Sequence, residues 1–143
     1  MDKPDERTLK IIQRRFGYSN DEIEKFGNDS RNVDLIARYK EFSKKYIVLT
    51  VVDSKGCNSN HKAGSKFYFD YAGNILTDLC PEKICGYSLN SALMMVFTAN
   101  EMIFAGIDPN EIRFKRASCF DVGIECGGWG RIVLELKIEE KET

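Results

Sequence analysis

The stretch Tyr46-Ile47-Val48-Leu49-Thr50-Val51-Val52 decides the fold. Its apolar, β-branched residues follow one another without alternation, the pattern of a central strand covered on both faces. Downstream, Lys66-Phe67-Tyr68-Phe69-Asp70 is aromatic-rich and is closed by the turn residues Tyr71-Ala72-Gly73-Asn74, which predicts a second strand. Gly86 to Ala105 then reads as one long helix. Its only charged residue is Glu101, and Leu89, Leu93, Val96, Phe97, Ile103 and Phe104 supply its apolar surface, so it is expected to be buried on most of its circumference. Gly106 and Asp108-Pro109 stop it. Two further strands follow. Ile112 to Ser118 alternates Ile112 and Phe114 against Arg113 and Lys115, and Arg131 to Ile138 sets Ile132, Leu134, Leu136 and Ile138 on one face.

Upstream of the opening strand, residues 6–42 read as helical. Leu9, Ile11, Ile12 and Phe16 recur at helical spacing. Ser19 with Glu22 three residues on forms a capping-box signature leading into Ile23 and Phe26. Asn28-Asp29-Ser30 makes a break before a third helix over Val33 to Phe42. The expected fold is α+β: a mostly antiparallel four-stranded sheet packed on one long helix in ββαββ order, with an N-terminal helical extension. The extension covers residues 1–45 and the core domain residues 46–143. The tail Glu139-Glu140-Lys141-Glu142-Thr143 is expected to be frayed and solvated.

Composition narrows the function classes. The chain has 143 residues, about one domain, and its 21 basic and 22 acidic side chains leave a formal charge of −1. That balance argues against nonspecific nucleic-acid binding, which needs a basic footprint. Leu93 to Phe97, the most apolar stretch, is far too short to span a bilayer. Residues 1–15 are charged and carry no apolar run of the exported type. The expectation is a cytoplasmic protein with reduced thiols, no membrane and no nucleic-acid partner. The cysteine count, five, is odd, which places structural disulfides low. A small domain with an appended amphipathic region is expected to be a homo-oligomer, with the N-terminal helices as its surface.

The chemistry is concentrated in the connections. Cys57, Cys80, Cys85, Cys119, Cys126 and the single histidine, His61, all fall outside the stretches that read as regular helix or strand. A cysteine used as a small hydrophobe belongs on an apolar face inside an element. Thiols in loops point instead to coordination, redox chemistry or nucleophilic catalysis. Cys57-x3-His61 follows the first strand, and a thiolate with an imidazole at short spacing suits zinc or iron. For His61 the plainer reading is a hydrogen-bonded turn histidine. Cys80-x4-Cys85 leads into the long helix, whose positive N-terminal end favours a thiolate, with Lys83 adding charge nearby.

The last loop is the densest. Cys119-Phe120-Asp121-Val122-Gly123-Ile124-Glu125-Cys126-Gly127-Gly128-Trp129-Gly130 combines glycines, thiols, acids and the only tryptophan. It is about twice as long as a plain hairpin loop of two to five residues. Gly127, Gly128 and Trp129 are candidate cofactor contacts, because glycine lets backbone approach a ligand or cluster closely. The alternative is a wide glycine-permitted turn with Trp129 as a packing anchor. If the three corners meet at one end of the sheet, Cys57, His61, Cys80, Cys85, Cys119 and Cys126 are candidate ligands of zinc or of an iron–sulfur cluster. A metal-free alternative uses His61 as base, with Cys57, Cys126 or Cys85 as nucleophile and Asp121 or Glu125 orienting the histidine. A further alternative is a structural or interaction module with incidental cysteines. No GxxxxGK[ST], GxGxxG, GxSxG or HExxH occurs.

At these same residues the chain resembles a family of small, uncharacterised prokaryotic proteins. The matching motifs are Gly56-Cys57-x3-His61-Lys62-x-Gly64, Pro81-x2-Ile84-Cys85 and Cys119-x-Asp121-x-Gly123-x-Glu125-Cys126-Gly127-Gly128-Trp129-Gly130. The resemblance runs from about Tyr46 to Ile138. It implies a common site rather than a named activity. Where shorter relatives carry an acid after His-Lys-x-Gly, this chain has Ser65.

Overall fold

The structure, a computed structural model, describes residues 4–142. Its packing divides the chain into two compact units that part between Phe42 and Ser43.

The first unit is helical. Asp5 caps α1 (Glu6–Phe16) by accepting from the Thr8 amide, and Gly17 ends the helix in the left-handed conformation that a side chain resists. The expected capping box opens α2 (Asn20–Asn28): Ser19 Oγ accepts from Glu22 N, and Glu22 returns the bond to Ser19 N at 2.7 Å. The third helix differs from expectation. Asp29 caps it three residues early, accepting from the Arg31 amide and its guanidinium, so α3 spans Ser30–Ala37. It breaks at Arg38 before the single turn α4 (Tyr39–Phe42).

The second unit is the α+β core. Its strands are β1 (Lys45–Lys55), β2 (Lys66–Phe69), β3 (Arg116–Ser118) and β4 (Arg131–Glu140), all antiparallel in the order β2-β1-β4-β3. The helix α5 (Gly86–Phe104) packs against this sheet. Ile47, Val48 and Leu49 are all buried in succession, as a strand covered on both faces requires. Ile47, Leu49 and Val51 pair with Ile138, Leu136 and Leu134, and Phe67 and Phe69 extend the same apolar face along β2. Val48 lies on the opposite face beside Tyr68, near the Lys66–Glu139 ion pair at 2.8 Å.

A β-bulge between Val51 and Asp53 shifts the alternation of β1 by one residue. Beyond it Ser54, rather than Asp53, stands opposite Ile132 on the apolar face. This shift positions the site.

Three expectations are corrected. The strand expected from Ile112 begins only at Arg116, because Asp108 caps a 3-10 turn over Pro109–Glu111; Phe114 is left 79% exposed. The tail is not frayed at its start. Glu139 and Glu140 pair with Tyr46 and Lys45, and Lys141 bonds the carbonyls of Lys44 and Ser43; Thr143 lies outside the described residues. Finally, α5 is not buried around most of its circumference. Ser88, Ala92, Met95, Val96, Ala99, Asn100 and Ile103 face inward, but Leu93, Met94 and Phe97 are exposed.

Candidate functional site

The site is built where β1 runs past its bulge. Gly56 takes a positive φ of 67° and turns the chain into residues 57–64, which fold back so that the Gly64 amide bonds the Val51 carbonyl at 2.8 Å. Ser54, turned inward by the bulge, donates its hydroxyl to the His61 carbonyl at 2.6 Å. His61 is thereby drawn into the core. Its side chain is 97% buried, with the ring edge-on to Phe67 at 5.0 Å between centroids. The ring of His61 is therefore packed in the core rather than standing in solvent. Burial lowers its pKa from the ordinary 6.5, so the imidazole is neutral at pH 7. Its Nε2 has no hydrogen-bond partner, a costly state for a buried polar atom and one that asks for a ligand. Ser65 accepts from the Lys62 amide at 3.2 Å and closes the turn.

The loop from Cys119 to Gly130 is organised around one carboxylate. Asp121 accepts from the amides of Gly123 (2.9 Å), Trp129 (3.0 Å) and Gly130 (3.1 Å). These bonds, that from Gly123 foremost, hold its pKa below the usual 3.8. Two glycines are needed for close approach. A Cβ on Gly128 would strike the Asp121 carboxylate, and one on Gly130 would strike the Gly56 carbonyl. Gly130 is thus what lets this loop lie against the start of the Cys57–His61 loop. Gly127, at φ 87°, ends a 3-10 turn over Ile124–Cys126. Trp129 is 78% exposed and does not act as a packing anchor. Glu125 pairs in solvent with Lys55.

The third corner is the start of α5. Cys85 is its N-cap residue, and Ser88 Oγ donates to the Cys85 carbonyl at 2.8 Å. The Phe120 amide donates to the Tyr87 carbonyl, which ties this corner to the last loop.

The three corners share one cavity of about 110 Å³. Cys57, His61, Cys85 and Cys119 line it, together with Tyr87, Ser88, Asp121, Trp129 and Arg131. It is well below the roughly 300–1,000 Å³ of a cofactor or drug-sized pocket, and suits an ion or a few water-sized groups. Two candidate ligands are not brought in. Cys80 lies beside β2, its sulfur accepting from the Tyr68 amide at 3.3 Å, and Cys126 is exposed on the 3-10 turn. Cys119 Sγ accepts from Ile132 N at 3.3 Å and contacts the Asp121 carbonyl at 3.5 Å. All five cysteines are free thiols. Among the described residues, no group of three or more His, Cys, Asp or Glu side chains stands close enough to hold a metal ion.

Tyr87, Ser88 and Arg131 were not legible as site residues. The first two look like any first helical turn, and Arg131 like any strand end; only the proximity of Cys85 and of the glycine motif hinted at them. No helix among the described residues is long and apolar enough to cross a membrane. Comparison with protein-family models, with curated proteins and with solved structures finds no match.

Proposed function

We propose that this protein binds a thiophilic metal ion, zinc before an iron–sulfur cluster, in the cavity lined by Cys57, His61, Cys85 and Cys119. The observation that carries the reading is the buried, neutral His61, which has an unpartnered Nε2 and lines the same small cavity as three cysteines. A Cys₃His donor set is an established zinc site, and a neutral imidazole is the form that ligates. Binding requires the thiols to turn inward, and one staggered χ1 change moves a sulfur by about 3 Å. Gly127 and Gly128 act on this reading by letting the loop backbone close, and Trp129 by covering the mouth. On this reading Cys57, His61, Cys85, Cys119, Asp121 and Trp129 of the quoted motifs belong to one site, while Cys126 and Glu125 lie outside it. A cytoplasmic location, where thiols stay reduced, belongs to the same proposal.

The test is metal analysis of protein purified without oxygen. About one zinc per chain is expected, lost together with thermal stability in Cys57→Ser, Cys119→Ser and His61→Ala, and retained in Cys80→Ser and Cys126→Ser. No metal after zinc loading, with all five thiols titrating freely, would sink the reading. A single pocket cysteine alkylating ahead of the others in that metal-free protein would favour the metal-free alternative, thiol chemistry with His61 as base.

A further inference from the structure

The helix α5 carries one charged residue, yet it leaves large apolar side chains in water. Tyr87, Leu93, Met94 and Phe97 are 65%, 54%, 71% and 63% exposed. Positions 87, 90, 94, 97 and 101 follow the alternating three–four spacing of a helix-pairing seam, with Leu93 flanking it. Asn90 and Glu101, both exposed, lie on the seam to either side of the Met94–Phe97 centre.

We propose that α5 is a self-association surface, on which two copies of this chain pair antiparallel about a twofold axis between Met94 and Phe97. Area, charge and symmetry each point to a second copy. The four exposed side chains offer roughly 550 Å² of surface, about two-thirds of the 800 Å² that each partner contributes to a standard stable interface. Asn90, Glu101 and their neighbours supply a polar rim for the remainder. The stripe has no basic residue and a single acidic one, so it presents no charged pattern for an oppositely charged partner. The whole chain carries only −1, so copies meet without strong long-range repulsion.

The axis follows from the sequence of the stripe. A twofold that sets Met94 against Phe97 of the second copy also sets Asn90 against Glu101 of the second copy, an amide donor against a carboxylate. Parallel pairing would instead bring the two Glu101 carboxylates together. This surface differs from the N-terminal helices expected as the oligomer contact. The pairing needs no metal, and of the stripe only Tyr87 also lines the cavity.

Sedimentation equilibrium and light scattering on the full chain test it. A mass of twice 16.3 kDa at tens of micromolar is expected. Phe97→Asp should weaken the dimer by at least about 30-fold, as loss of an interface hot spot does, with its circular dichroism unchanged. If that variant unfolds, Met94→Lys makes the same test. Orientation is read by mild oxidation: Asn90→Cys/Glu101→Cys should cross-link to a dimer well above the background of the native thiols, and Glu101→Cys alone should not. A monomeric wild-type chain, a dimer indifferent to both Phe97→Asp and Met94→Lys, or cross-linking by Glu101→Cys alone would each overturn the proposal.

Discussion

The β1–β4 ladder and the Cys119–Gly130 loop touch at Gly56 and Gly130 but are held by different physics. In the ladder the side chains do the work: Leu49 and Leu136, then Val51 and Leu134, pair on a dry face, and every one of them is almost fully buried. In the loop the apolar side chains point outward. Phe120, Val122, Ile124 and Trp129 are 69%, 56%, 71% and 78% exposed, while one carboxylate gathers three backbone amides. A region that spends its backbone and its acid on holding shape, and leaves its large side chains in water, is built to present something rather than to stabilise the fold. The ladder tolerates conservative apolar exchange if volume is kept. The loop tolerates no added Cβ at Gly128 or Gly130.

The ladder carries the largest expected effect. Leu134→Ala should cost about 2–5 kcal/mol in urea unfolding, because it opens a cavity in the most buried part of the sheet. A loss below 1 kcal/mol would mean that the dry face collapses easily. Next comes the loop's steric lock. Gly130→Ala forces the two loops apart and should cost about 1–3 kcal/mol, with thiol reactivity of Cys57 and Cys119 rising as the cavity opens. An unchanged melting temperature would show that the Gly56–Gly130 contact has room.

His61 sharpens the contrast between core and site. Its pKa is lower in the folded protein than the ordinary 6.5, so the unfolded chain binds the proton more readily. In the metal-free protein the contribution of His61 to stability is therefore fully present above about pH 6.5 and is lost as pH drops from there through the folded value. In metal-free protein, His61→Phe should remove that slope from a pH series of unfolding curves while changing stability at pH 7.5 by about 1 kcal/mol or less, since an unpartnered buried nitrogen is lost. An identical slope in the variant would assign the titration elsewhere. The smallest effect is expected at Trp129, where replacement by Ala should stay within about 0.5 kcal/mol of wild type by chemical unfolding, as suits an exposed side chain.

Much of the fold was legible in local chemistry. The unbroken run at Tyr46–Val52, the alternation at Ile132–Ile138 and the uncharged run before Gly106 each announce an element, because strand and helix periods are written residue by residue. The capping box at Ser19 and Glu22 was legible for the same reason. What failed depended on competition. Ile112–Lys115 has strand alternation but loses its start to the Asp108 cap, and Asp29 captures Arg31 to begin α3 early.

The site divides along the same line. Residue chemistry alone picked out loop thiols, one histidine and a glycine-rich turn, since cysteines outside regular elements and glycines in clusters are visible without a fold. Which of them meet was decided by tertiary structure. A single-residue bulge after Val51 turns Ser54 inward and buries His61, and Gly130 lets two loops lie in contact. The start of α5 adds Cys85 while the chain carries Cys80 away to β2. Such proximity joins residues as far apart as Gly56 and Gly130, and no local spacing encodes it, because it arises from sheet register and from backbone close approach.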